Sequence, residues 1–218
     1  MQATLEWRMR PELSSLYALW QLRRGDKIHN DNVAKALQPF LDDAQFQKQT
    51  AISELLSQSL KDTDDLQAVG TVQEIHARVT AAFPRMETEL ATRKSPLKMQ
   101  WDARGPGMLN TIFKSLVAAG HGVQPHPVDM WLVQPWSGGR ALLFPNLVAD
   151  RATILFEAVI TDVIPELPEV VRIAWAVCRL SCRVSDDELI REVIAAAASV
   201  GLCQENEATI ELARQEWF

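Results

Sequence analysis

The chain has 218 residues, 47% of them apolar and 23% charged, with a formal net charge of −6. That length supports a hydrophobic core without disulfides or metals, and the acidic balance argues against a nucleic-acid surface, which needs a clustered positive field. Three cysteines make no disulfide framework, and no run of about eighteen apolar residues offers a membrane span.

Residues 1–10 carry Glu6, Arg8 and Arg10 and no apolar stretch of the kind a secretory signal needs. A reduced, cytoplasmic, soluble protein is therefore expected. Within that segment Ala3, Leu5, Trp7 and Met9 alternate with polar residues, which predicts a strand over 3–9.

Helices should come next. Pro11 opens one with Leu13, Leu16, Tyr17 and Trp20 on a single stripe, closed by Gly25. Asn30 or Asp31 caps a second, which buries Val33, Leu37 and Phe40 and is weakened by Pro39. A third carries Ile52, Leu55, Leu56 and Leu60. Asp64 or Asp65 caps a fourth, whose Val72, Ile75 and Val79 recur at helical spacing up to Pro84. A short helix can occupy 85–94.

The stretch 97–145 looks like the centre of the molecule. Leu97, Met99 and Trp101 alternate with Lys98, Gln100 and Asp102, which predicts a strand over 97–101. Arg104-Gly105-Pro106-Gly107 then reads as a loop feeding a helix that buries Met108, Leu109, Ile112, Phe113 and Leu116 and ends at Gly120. Ser137-Gly138-Gly139 reads as the tip of a hairpin between strands at 129–136 and 140–145.

Residues 152–163 suit either regular element. Thr153, Glu157 and Thr161 fall four apart, which favours a helix, while the β-branched content favours a strand. We take helix. Pro168 starts an apolar helix that contains Cys178 and Cys182 on one face, and the plain reading of those thiols is as small hydrophobes. Ser185 and Glu188 form a capping box for the next helix. A last helix from about Asn206 ends in Trp217 and Phe218, which should dock on the body.

The expected fold is α+β and mainly helical: seven to nine helices on a small, mostly antiparallel sheet with strands near 3–9, 97–101, 129–136 and 140–145. The expected organisation is one domain over 1–218. It comprises a helical half (11–94), a strand-helix-hairpin centre (97–145) and a helical part (150–218).

Four places can carry chemistry. The loop at Arg104, Gly105 and Gly107 offers free N–H groups at a helix start to an anion, with Arg140 and His126 as further ligands. It lacks the lysine and hydroxyl of a phosphate-binding loop, and Pro106 removes one donor. His121, His126 and Asp129 are the residue types of a metal or acid–base site, at a spacing that matches no helical ligand pair. Trp101, Trp131 and Trp136 can form an aromatic platform or simply cover a helix layer. Glu157 is a lone acid on an apolar segment, so burial must pair or perturb it. No Gly-x-Ser-x-Gly occurs, His76 stands alone in its helix, and no cofactor motif is present.

The leading expectation is a protein-interaction or ligand-binding module without its own catalytic centre, meeting a protein partner through helical faces and the hairpin edge. The alternative is an enzyme or sensor for a small phosphate or carboxylate bound at 104–107. A metal-dependent hydrolase using His121, His126 and Asp129 is a weaker third.

Overall fold

The structure is a computed structural model that describes residues 3–46, 49–61, 69–136, 139–148, 150–158 and 167–217. Among these, eight α-helices surround a four-stranded sheet. The strands are β1 (Leu5–Met9), β2 (Val128–Val133), β3 (Ala141–Val148) and β4 (Arg151–Glu157), in the order β1-β2-β4-β3. β1, β2 and β4 run parallel, and β3 joins the edge antiparallel to β4. The mainly helical α+β expectation fits, but the sheet is mixed rather than mostly antiparallel.

Helices cover both faces of the sheet. On one lie α1 (Pro11–Arg23), α2 (Asp31–Asp42), α3 (Gln49–Leu60) and α4 (Val69–Ala82); on the other lie α5 (Met86–Ala118), α6 (Glu169–Ser181), α7 (Asp186–Ser199) and α8 (Glu207–Trp217). The two central strands, β2 and β4, feed both cores by alternation. Met130, Leu132, Ile154 and Phe156 join the core of α5 to α8, whereas Trp131, Val133 and Leu155 join that of α1 to α4. All six residues of β2 are buried, as expected for a parallel strand covered on both faces.

Three strand assignments change. Residues 97–101 are helical, part of the 33-residue α5. Leu90, Leu97, Trp101, Met108, Ile112 and Leu116 share its buried stripe, while Met99 is 71% exposed. The apolar pair Leu97 and Trp101 therefore marks a helical face, and α5 runs straight through the presumed boundary between 94 and 97.

Residues 151–157 form β4 rather than a helix, and the remainder of the expected helix, 159–163, lies outside the described residues. β4 also sits between β2 and β3, so the strands at 129–136 and 140–145 do not form a hairpin with one another. The hairpin present joins β3 to β4 through Asp150, whose φ is +60°. Ser137 and Gly138 lie outside the described residues, as do the expected cap at Asp64 or Asp65 and Phe218.

Local signals at helix ends hold. Asn30 Oδ1 accepts from Asn32 and Val33 N–H at 3.1 Å, and Ser185 Oγ accepts from Glu188 N–H at 3.3 Å, while the Glu188 carboxylate meets His121 instead of closing the capping box. Trp217 docks by stacking on Trp175 with centroids 5.4 Å apart. No helix of the described residues is long and apolar enough to cross a membrane.

The glycines of the presumed loop have a packing meaning instead. A Cβ on Gly105 would sit 2.4 Å from the Trp101 ring, whereas one on Gly107 meets nothing within 4 Å. Gly105→Ala should therefore lower stability by about 1–3 kcal/mol through overpacking. Gly107→Ala should raise it by up to about 1 kcal/mol through helix propensity. Urea denaturation of both variants checks this, and equal effects would show that the indole contact does not decide the outcome.

Candidate functional site

The residues expected to bind an anion are not brought together. Arg104, Gly105 and Gly107 lie within α5, so no loop of free N–H groups exists there, and Gly107 C=O accepts from the Thr111 hydroxyl at 3.2 Å. Arg140 lies beyond the carboxyl end of β4, where its guanidinium donates to Asp26 at 3.0 Å. His126 lies just before the amino end of β2. A parallel strand of this length puts those ends roughly 20 Å apart. The strand–loop–helix cradle is thus replaced by continuous helix.

The metal triad is also dispersed. His121 Nε2 lies 2.7 Å from Glu188 Oε1, and Asp129 accepts from Arg151 at 3.1 Å and forms an ion pair with Arg8 at 3.2 Å. No group of three His, Cys, Asp or Glu that could hold a metal ion occurs among the described residues. The tryptophans form no common platform, since Trp101 is in one core and Trp131 and Trp136 are in the other.

Polar groups gather at both ends of the sheet. At the carboxyl end Glu157 is completely buried, as an acid on an apolar strand had to be if it was paired. Its Oε1 accepts from Gln21 Nε2 at 2.8 Å and from Trp136 N–H at 3.0 Å. Its Oε2 accepts from Gly139 and Arg140 N–H, each at 2.7 Å. One carboxylate thereby ties α1, β4 and the segment after β2 together. Around it Arg172 donates to Glu157 C=O at 2.8 Å and pairs with Glu169, and Arg93 donates to Ala158 C=O at 2.7 Å. Burial pushes the Arg93 pKa down, opposed by Glu89 and Glu169. Burial, with Glu157 adding to it, pushes the Tyr17 phenol far above its usual value, so Tyr17 stays protonated.

At the amino end lies a cleft of about 750 Å³. One wall is the segment before β2, with Gln124 and His126; another is the carboxyl end of α6 and the turn leading out of it, with Ser181, Cys182 and Arg183. A bridge between Val123 and Cys182 and a 2.8 Å bond from Gln124 N–H to Ser181 C=O hold these two walls together. The β3–β4 hairpin closes the third side with Pro145, Val148, Asp150 and Arg151. Arg151 is already compensated, since it donates to Asp129 and, at 2.7 Å, to Glu6. Arg183 and His126 engage no side-chain partner among the described residues. Of this set only His126 stood among the candidate site residues of the sequence; Arg183, Asp150 and Gln124 did not.

Among the described residues neither end presents an armed nucleophile. Burial pushes the Cys182 thiol up to about 11 and Cys178 well above its usual value, so both are protonated at neutral pH. The Ser181 hydroxyl donates to Val177 C=O at 2.9 Å. A serine–imidazole–carboxylate arrangement does occur elsewhere. Ser15 Oγ is 3.1 Å from His76 Nδ1, and His76 Nε2 is 3.3 Å from Glu87 Oε1. Ser15, however, is fully buried inside α1, where the helix consumes the N–H groups an oxyanion would need. The three side chains fasten α1, α4 and α5 to one another.

Glu157→Gln places an amide NH₂ against backbone donors and should cost roughly 2–4 kcal/mol in denaturant unfolding; an unchanged midpoint would show that the carboxylate is not a clamp. Cys178 and Cys182 should resist iodoacetamide in the native protein at neutral pH, read by mass spectrometry, and rapid Cys182 labelling would show an activated thiol. No family model, curated protein or solved structure matches this chain.

Proposed function

We propose that this chain is a ligand-binding module without its own catalytic centre, and that its ligand is a small anion held in the cleft at the amino ends of β2 and β4. The observation that carries this is the pairing of a cavity of about 750 Å³ with a guanidinium, Arg183, and an imidazole, His126, that no described residue engages. That volume is within the range of small-molecule sites. A guanidinium binds carboxylate or phosphate through two parallel N–H bonds, and the imidazole supplies a further donor. The protonated thiol of Cys182 and the committed hydroxyl of Ser181 favour binding over covalent chemistry.

The ligand-binding half of the expected function is supported more than the protein-partner half. The large hydrophobic residues exposed among the described ones are Met99, Val117 and Val200. Met99 and Val117 are eighteen residues apart on α5, roughly 27 Å along the axis, so they make no common apolar face.

A thermal-shift screen with phosphate, sulfate and small carboxylates tests the proposal, because a ligand of the native state raises its apparent stability. At least one anion should raise the melting temperature. Arg183→Ala should weaken that anion roughly 10–100-fold, the worth of one charge-assisted contact, while Arg104→Ala leaves it unchanged. An anion that binds equally well without Arg183 would place the site elsewhere.

A further inference from the structure

We infer, building on the anion-binding reading above, that the cleft takes a small zwitterion of the amino-acid type, its carboxylate on Arg183 and its primary ammonium on Asp150. The charges of the cleft lead to this. Arg151 belongs to a closed set with Glu6, Arg8 and Asp129, two guanidinium groups with two carboxylates, so it adds no net charge to the cavity. What remains is one cation and one anion, Arg183 and Asp150. Both line the cleft, and neither forms an ion pair with the other or with another described residue.

Unlike charges in one concavity attract, and when they do not meet, each keeps its bonding capacity for a guest. A guest with a single negative charge satisfies Arg183 but leaves Asp150 to repel it across the same space. A guest carrying both signs satisfies both walls, and like-charge repulsion then selects against plain anions.

The backbone bears on where Asp150 can point. It is the only non-glycine residue with positive φ among the described residues, at +60°, a conformation that Asp and Asn tolerate better than other side chains. The pairing of β3 with β4 also shifts register between Phe144 and Val148. Such irregularities bend a strand and re-aim its side chains beside functional sites. Here the shift falls where Pro145 and Val148 line the cavity. The hairpin is thus irregular where it lines the cleft that Arg183 also lines.

The test is calorimetric titration of the full chain with alanine, leucine, glutamate and lysine as zwitterions. Propionate and inorganic phosphate serve as anions lacking the amine, and propylamine as the amine lacking the carboxylate. At least one amino acid should bind at least tenfold tighter than its N-acetyl derivative and than propionate. Asp150→Asn, which keeps a side chain suited to positive φ, should abolish that preference while the carboxylate still binds. Arg183→Gln should remove both. Anions that bind as tightly as amino acids, or a preference that survives Asp150→Asn, would overturn the zwitterion while leaving the anion site standing. Absence of binding by every probe would overturn both.

Discussion

Burial of the sheet on both faces is the constraint that shapes everything else in this molecule. A parallel strand needs a crossover for each neighbour, and the crossovers here deposit helices above and below. β2 and β4 are consequently lined by apolar side chains on either side. Two cores form instead of one, and the sheet is their shared wall. Polar chemistry is driven to the ends of the strands, where the backbone leaves the sheet and its N–H and C=O groups need partners.

Glu157 shows how strict that requirement is. It stands at the last position of β4, where the alternation turns it toward the core of α1 to α4. A carboxylate there is tolerable only when hydrogen-bonded, and three backbone N–H groups and the Gln21 amide converge on it. The segment after β2 is held by the same contacts, since Trp136 also donates its indole N–H to Ser14 C=O at 2.7 Å. The acid is the exception within an apolar strand and the means by which that strand's end is fastened to α1.

The same geometry explains how much could be read from the sequence. Caps, helix stripes and β1 were legible because their signals are local. The difficulty arose at a spacing of four, which lies on one face in a helix and in a strand alike. Leu97 and Trp101 satisfied both templates, and so did Thr153 and Glu157. The residue midway between each pair decides. Met99 is exposed, which makes the first pair helical, whereas Leu155 is fully buried beside Thr153 and Glu157, which makes the second a strand. That information is three-dimensional, because two-sided burial erases the polar alternation that normally identifies a strand. Gly105 misled for a related reason: it is small because an indole lies over it, not because the chain turns there. Of the cleft, His126 was visible as a residue type near a strand, but Asp150 reaches it through the parallel register that aligns Val128 with Ala152, and Arg183 through the bridge between Val123 and Cys182.

In open sheets of parallel strands, ligands commonly sit beyond the carboxyl ends. This molecule has spent that end on itself. Glu157 is saturated by backbone donors, and Arg172 and Arg93 cap the carbonyls of Glu157 and Ala158. Gln134 Nε2 and Arg93 both donate to the carboxylate of Glu89. Gln134 Oε1 is buried there without a hydrogen-bond partner among the described residues, but the charged groups of that end are engaged with one another and with the backbone. The amino end is the opposite case. Its inner charges cancel among Glu6, Arg8, Asp129 and Arg151, and this neutral platform supports an outer layer in which no described side chain engages the cation, the anion and the imidazole that line a cavity. Recognition needs groups that folding has not already consumed, and the proposed ligand site draws on those that the described residues leave at the amino ends of the strands.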